Sequence, residues 1–158
     1  MRMEGISALQ AAKATCECAG WRLSNLALNR VLYIAHMYHL GQQGRPLIKE
    51  VFEAWDYGPI LPAVYHKAKI FGRKPVRNIF RAVPALPEDT DEYQSLSDTV
   101  QETWDWPSAR LIAVTHWKQG AFYRYYTPDL RMPIPHEEVF AEYHRYMNHS
   151  HRNQGVTQ

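Results

Sequence analysis

Cysteine is nearly absent from this 158-residue chain, which holds only Cys16 and Cys18. With a single residue between them, the two do not fit the spacing of about two to four residues usual in a structural zinc pair. Nor do they make a disulfide scaffold, and Cys16 reads as a helix residue in a reducing compartment. Long apolar runs are missing too. No stretch approaches the roughly 20 residues needed to cross a bilayer, and the N-terminus lacks the basic-then-apolar order of a secretory leader. A cytoplasmic protein without membrane contact is the expectation. There is no Walker or dinucleotide glycine loop, no GxSxG elbow and no HExxH pair, so the usual sequence signs of catalysis are lacking. No catalytic residue, metal site or cofactor is expected, and the chain reads as a non-enzyme.

Charge of one sign is also in short supply: 18 Lys/Arg against 16 Asp/Glu give a net +2, which speaks against obligate, extensive nucleic-acid binding. The distribution is less even than the sum. Residues 1–80 carry 11 basic and 5 acidic side chains, or +6, and residues 81–158 carry 7 and 11, or −4. What the chain does have is apolar and aromatic bulk, 46% and 13% of residues, enough for one domain with a real core.

Spacing of the apolar residues predicts the elements. Ile6, Leu9, Ala12 and Cys16 line one face of a first helix. From Leu26 to Leu40 the apolar surface formed by Leu28, Val31, Leu32, Ile34, Ala35, Tyr38 and His39 is too broad for a helix with one solvated face, so this is the expected central helix. Leu61–Phe71, Asp91–Trp104, a segment from Pro107 or Ser108 towards Gly120, and His136–Met147 complete about six helices. Residues 73–87 and 122–135 are rich in proline and read as irregular. The expected fold is mainly α: one compact domain over residues 1–148, a short extended or hairpin element near residues 48–56, and a flexible polar tail over 149–158.

The densest stretch of glycine, proline, aromatic and acidic residues runs from Leu40 to Tyr65. Gly41 and Gly44 are expected to end the central helix, Pro46 to hold a turn and Pro62 to open the next helix. Between them lies Trp55-Asp56-Tyr57-Gly58-Pro59. Its aromatic rings either fill a gap between helices or face outward as an interaction surface, and both readings stay open. Lys67, Lys69, Arg73, Lys74 and Arg77 form a basic segment with two readings as well. It is a solvated face that complements a helix C-terminus, or a patch for a partner or a phosphate backbone. His36 and His39, three residues apart on the central helix, read as packing or hydrogen-bonding residues.

Three separated motifs carry a family resemblance. The first is Leu28, Arg30 to His36 and Tyr38 to Leu40, followed by Gly44-Arg45-Pro46-Leu47. The second is Phe52 to Trp55, Tyr57 to Ile60, Pro62 and Tyr65. The third is Leu111, Thr115, His116 and Gly120. In this order they resemble the Panacea domain family, which groups SocA-like antitoxins and proteolytic adaptors with phage GepA-like proteins. Arg30 stands where the family usually has lysine, and Ala121-Phe122 replaces its small-Pro-Trp ending. The resemblance implies an antitoxin that neutralises a toxin encoded nearby by direct contact, and, for SocA-like members, delivery of that toxin to ClpX of the ClpXP protease. A homodimer is compatible with the same reading. The partner-binding candidates are Trp55, Asp56, Tyr57, Lys67, Arg73 and Lys74. Gly44, Pro46, Ala54, Gly58, Pro59, Thr115 and His116 are the motif residues expected to be structural. The alternative is a nucleic-acid-binding regulator that uses residues 67–77.

Overall fold

The computed structural model describes residues 4–156, with side chains described to Arg152. Helix α1, Ala8–Cys18, starts where the Ser7 hydroxyl accepts the Gln10 N–H, and it buries Ala8, Ala11, Ala12 and Cys16. Helix α2, Asn25–Gln43, is capped in the same way by Ser24 on the Ala27 N–H. Twelve of its nineteen residues are buried, so it is the central helix that its broad apolar surface predicts. It packs against α3 (Pro62–Ala68), α4 (Asp91–Glu102), α5 (Ser108–Thr115) and α7 (His136–Val156), as well as α1.

Buried polar side chains need partners within the protein, and four of those on α2 hold a neighbouring element in place. Asn25 donates to the Tyr65 carbonyl at 3.0 Å, and Asn29 accepts the Leu61 N–H at 2.9 Å, which together fix the start and first turn of α3. Tyr33 donates to Glu142 of α7 at 2.5 Å, and His39 meets Ser95 of α4 at 2.7 Å.

Strands β1 (Phe52–Trp55), β2 (Gly58–Ile60) and β3 (Met132–Ile134) form an antiparallel sheet in the order β2-β1-β3. Trp55 pairs with Gly58, and Phe52 with Ile134. The hairpin thus starts within the expected 48–56 window and runs on to Ile60.

Several boundaries differ from the sequence expectation. Gly41 does not end α2. It lies inside the helix, where an added Cβ would fall 2.0 Å from the Tyr143 ring, so its lack of a side chain lets α7 approach. Gly44 does end α2, at φ 71°. The fifth helix stops at Thr115, and the stretch expected to be irregular contains α6 (Ala121–Tyr125) and β3, giving seven α-helices among the described residues. β3 was hidden because Pro133 weakens any strand signal, and only its position at the sheet edge opposite β1 admits it. Helix α7 continues to Val156, beyond the Met147 expected. No helix among the described residues is long and apolar enough to cross a membrane.

Candidate partner-binding site

The hairpin between β1 and β2 is built for close contact. Asp56 and Tyr57 are its two loop residues, and neither has a positive φ. The reversal is absorbed by Gly58, at φ 116°. An added Cβ at Gly58 would also lie 2.6 Å from His116 Nε2, so glycine is required for two independent reasons. His116 follows the last residue of α5, where Thr115 is buried and donates its hydroxyl to the Leu111 carbonyl at 2.8 Å. The second and third sequence motifs thus meet at one point in space.

Arg30 of α2 braces the same corner, with its guanidinium 3.5 Å from the Tyr57 carbonyl. Burial lowers its pKa. Burial, and secondarily the charge of Arg30, lowers the pKa of His116, while the Tyr57 carbonyl partly offsets this. Behind the hairpin the protein therefore places one cation and one neutral imidazole.

The two aromatic rings of the corner part company. Trp55 is 2% exposed. Its indole N–H donates to Glu53 at 2.8 Å, its ring meets Tyr65 edge-on at 5.0 Å, and the Arg131 guanidinium covers it at 3.8 Å. Tyr57 is 48% exposed and stacks on Tyr65 with the ring planes 23° apart. Asp56 is exposed and accepts the Tyr126 hydroxyl at 2.7 Å. Its hydrogen bond raises the phenol pKa of Tyr126.

Trp55, Asp56, Tyr57, Asp129 and Arg131 line an open cleft of about 470 Å³. Asp129 and Arg131 have φ of 68° and 49°, values that non-glycine residues seldom adopt. The turn that contains them carries Arg131 onto the tryptophan.

Among the other candidates, Ala54, Pro46 and Pro59 are buried. Lys67 is exposed in the last turn of α3, two residues beyond Tyr65. Arg73 and Lys74 are exposed beyond a short 3-10 turn, Lys69–Phe71, and Arg73 lines a separate cleft rather than the hairpin's. Among the described residues no ion pair involves Lys67, Lys69, Arg73, Lys74 or Arg77. No group of three or more His, Cys, Asp or Glu side chains among them is placed to hold a metal ion.

Sequence reasoning passed over Arg131, Asp129 and Tyr126, which come from the proline-rich stretch, and the buried Glu142. Glu142 is 1% exposed and accepts both the Tyr33 hydroxyl and the Ala121 N–H, the latter at 2.9 Å. Burial raises its pKa. A signal for it existed: it lies three residues after Val139 and one before Tyr143, on the face of α7 that turns inward. For Arg131, Asp129 and Tyr126 no such periodic signal exists.

Comparison with known proteins points to the family that these motifs resemble. The antitoxin SocA-like, Panacea domain family matches residues 28–121, more than half of the chain. "Antitoxin SocA" of Caulobacter vibrioides (strain NA1000 / CB15N) is 31% identical over 107 residues, covering 62% of this chain and 57% of that protein. The match therefore spans somewhat more than half the length of that relative. No solved structure matches. With its family motifs meeting at the Gly58–His116 contact, the chain belongs to the SocA-like, Panacea domain family.

Proposed function

We propose that this protein is the antitoxin of a toxin–antitoxin pair, that it has no enzymatic activity, and that it neutralises its toxin by direct binding at the β1–β2 hairpin. The observation that carries the surface assignment is the contrast at the corner. Trp55 is locked into the scaffold, while Tyr57 is held out on the same rigid turn beside an open cleft. A preorganised, half-exposed tyrosine with a stacked neighbour anchors an interface at low entropic cost. Family membership and the named relative support the antitoxin role. Asp56 and Arg131 supply charge around the tyrosine, and Lys67 is exposed two residues beyond its stacked neighbour Tyr65, whereas Arg73 and Lys74 lie outside this cleft. Delivery of the bound toxin to ClpX of the ClpXP protease, in the cytoplasm, is the narrower form of this reading.

Coexpression with the product of the neighbouring gene tests it. The expected result is a copurifying complex, 1:1 or higher, together with rescue of growth, both lost in Tyr57→Ala. Absence of binding and of rescue would sink the reading. A toxin half-life unchanged by removal of ClpX would sink only the adaptor form.

A further inference from the structure

A second cleft, of about 220 Å³, lies apart from the hairpin and is lined by Arg22, Ser24, Arg73, Trp104, Trp106 and Ser108 among others. Each of its two tryptophans carries an arginine. The Arg22 guanidinium sits 3.8 Å over the Trp104 ring and donates to the Trp104 carbonyl at 2.7 Å; Arg110 sits 3.9 Å over Trp106. Trp104 is nonetheless 49% exposed, so one arginine does not cover it.

The basic loop is fastened to the rim of this cleft. The Val76 N–H donates to the Leu23 carbonyl at 2.9 Å, and Pro75 bridges to Ser24; Arg73 lines the cleft with the tryptophans, and Lys74 and Arg77 follow on the same loop. All three are exposed, as are Lys67 and Lys69 leading up to them. Asp105 and Glu102 are the nearest acids in sequence, and neither lines the cleft.

We infer that this cleft and its basic rim bind single-stranded nucleic acid, with an unpaired base on the open part of Trp104 and backbone phosphates on Arg73, Lys74 and Arg77. Three features favour this occupant. An exposed indole offers a flat surface that any unpaired base can cover. Unpaired guanidinium and ammonium groups follow one another along the chain as phosphates do along a strand. No carboxylate lines the cleft to repel an anion. An acidic peptide would use the charges and leave the indole without a role. A duplex would present no free base face. The mild net charge of +2 is no obstacle, because the positive excess is concentrated in the first half of the chain, where this rim lies.

Fluorescence anisotropy of a labelled oligothymidylate on the full chain tests the assignment, at roughly 50 mM and 200 mM salt. The expected result is binding that weakens about tenfold or more between the two salt concentrations, as about three phosphate contacts require. Trp104→Ala is expected to weaken binding about tenfold. The pair Arg73→Glu with Lys74→Glu, on an exposed loop, is expected to weaken it at least as much, whereas Lys118→Glu, outside the cleft, leaves it unchanged. Circular dichroism confirms that each variant is folded. No binding at the lower salt overturns the inference. So does competition by polyglutamate as strong as by the oligonucleotide, tighter binding of a duplex, or a folded Trp104→Ala that binds as the parent does. An equal loss in Lys118→Glu also overturns it, since diffuse charge alone would then account for the binding.

Discussion

His116 Nε2 stands 2.6 Å from where a Cβ on Gly58 would be, so the turn of the hairpin and the end of α5 share one space. Gly58→Ala is expected to destabilise the fold by about 2 kcal/mol or more, combining a strained φ with a steric overlap. His116→Ala removes the overlap and leaves the strain. The same glycine substitution should therefore cost less in the His116→Ala background, and a urea double-mutant cycle measures the difference. Equal costs in both backgrounds would mean that the contact has no energetic weight.

Trp55 and Tyr57 are two residues apart in sequence and lie in different environments. Trp55→Ala is expected to lower stability by about 3 kcal/mol or more, as removal of a buried indole does, and to weaken the helical signal at physiological temperature. Tyr57→Ala should leave unfolding within about 0.5 kcal/mol of the parent while reducing toxin binding by about 2 kcal/mol, the scale of an interface anchor. Thermal melts read beside copurification separate the two, and a Tyr57→Ala chain that binds normally removes the hairpin tip from the interface.

Glu142 holds the Tyr33 hydroxyl and the Ala121 N–H in the interior. Glu142→Ala leaves both donors unpaired and is expected to cost about 2–3 kcal/mol or more. Glu142→Gln retains an acceptor at that position and should cost less. Tyr33→Phe removes one donor and leaves the carboxylate one partner poorer. Chemical denaturation should rank the Ala variant as the most damaging of the three.

Acid is expected to destabilise the protein through its histidines. The Ile48 N–H donates to His36 Nδ1, so the ring proton of His36 is on Nε2 and points to His136 Nδ1 at 3.1 Å; His136 in turn donates to the Lys49 carbonyl at 3.2 Å. A further proton on His36 would face a donor. Burial first, and the neighbouring histidines second, hold His36 well below the ordinary 6.5, and burial lowers His39 and His116 as well. Because the unfolded chain takes up these protons as pH falls through about 6.5 and the folded chain resists them, stability is full above that pH and declines below it. His36 alone contributes a slope of up to about 1.4 kcal/mol per pH unit. Glu142 acts with the opposite sign. Its carboxyl pKa is raised above 4.5, so the folded state takes up a proton first and the decline flattens at lower pH. Urea midpoints at about pH 8, 6.5 and 5 check this, and a midpoint that does not fall by pH 5 contradicts it.

Packing of α7 on α2 depends on a missing side chain. Gly41→Ala would place a methyl group 2.0 Å from the Tyr143 ring. The intrinsic helix preference of alanine favours the substitution by about 1 kcal/mol, yet the overlap is with a ring wedged between helices. Net destabilisation of about 1–3 kcal/mol is expected, and a thermal melt reads its sign.

Local signals carried the helices because a buried helical face repeats every three to four residues and its ends are marked nearby. Ser24 caps α2 and Gly44 closes it, and the apolar breadth of Leu28 to Leu40 announced a helix enclosed by others. The Trp55–Pro59 corner was legible as a turn from its glycine and proline. Its partners were not. Pairing of β3 with β1, the covering of Trp55 by Arg131 and the insertion of His116 against Gly58 join residues about 60 to 80 positions apart, and such encounters leave no periodic trace. Composition alone left open whether Trp55 and Tyr57 face the core or the solvent. Tertiary packing settled their burial, because Trp55 ends β1 between Tyr65 and the covering Arg131, whereas Tyr57 sits in the loop with one face left to solvent. The sequence by itself therefore determined an enclosed central helix, its close at Gly44 and a tight aromatic corner; the folded chain decided which ring of that corner is held inside and which is offered outward.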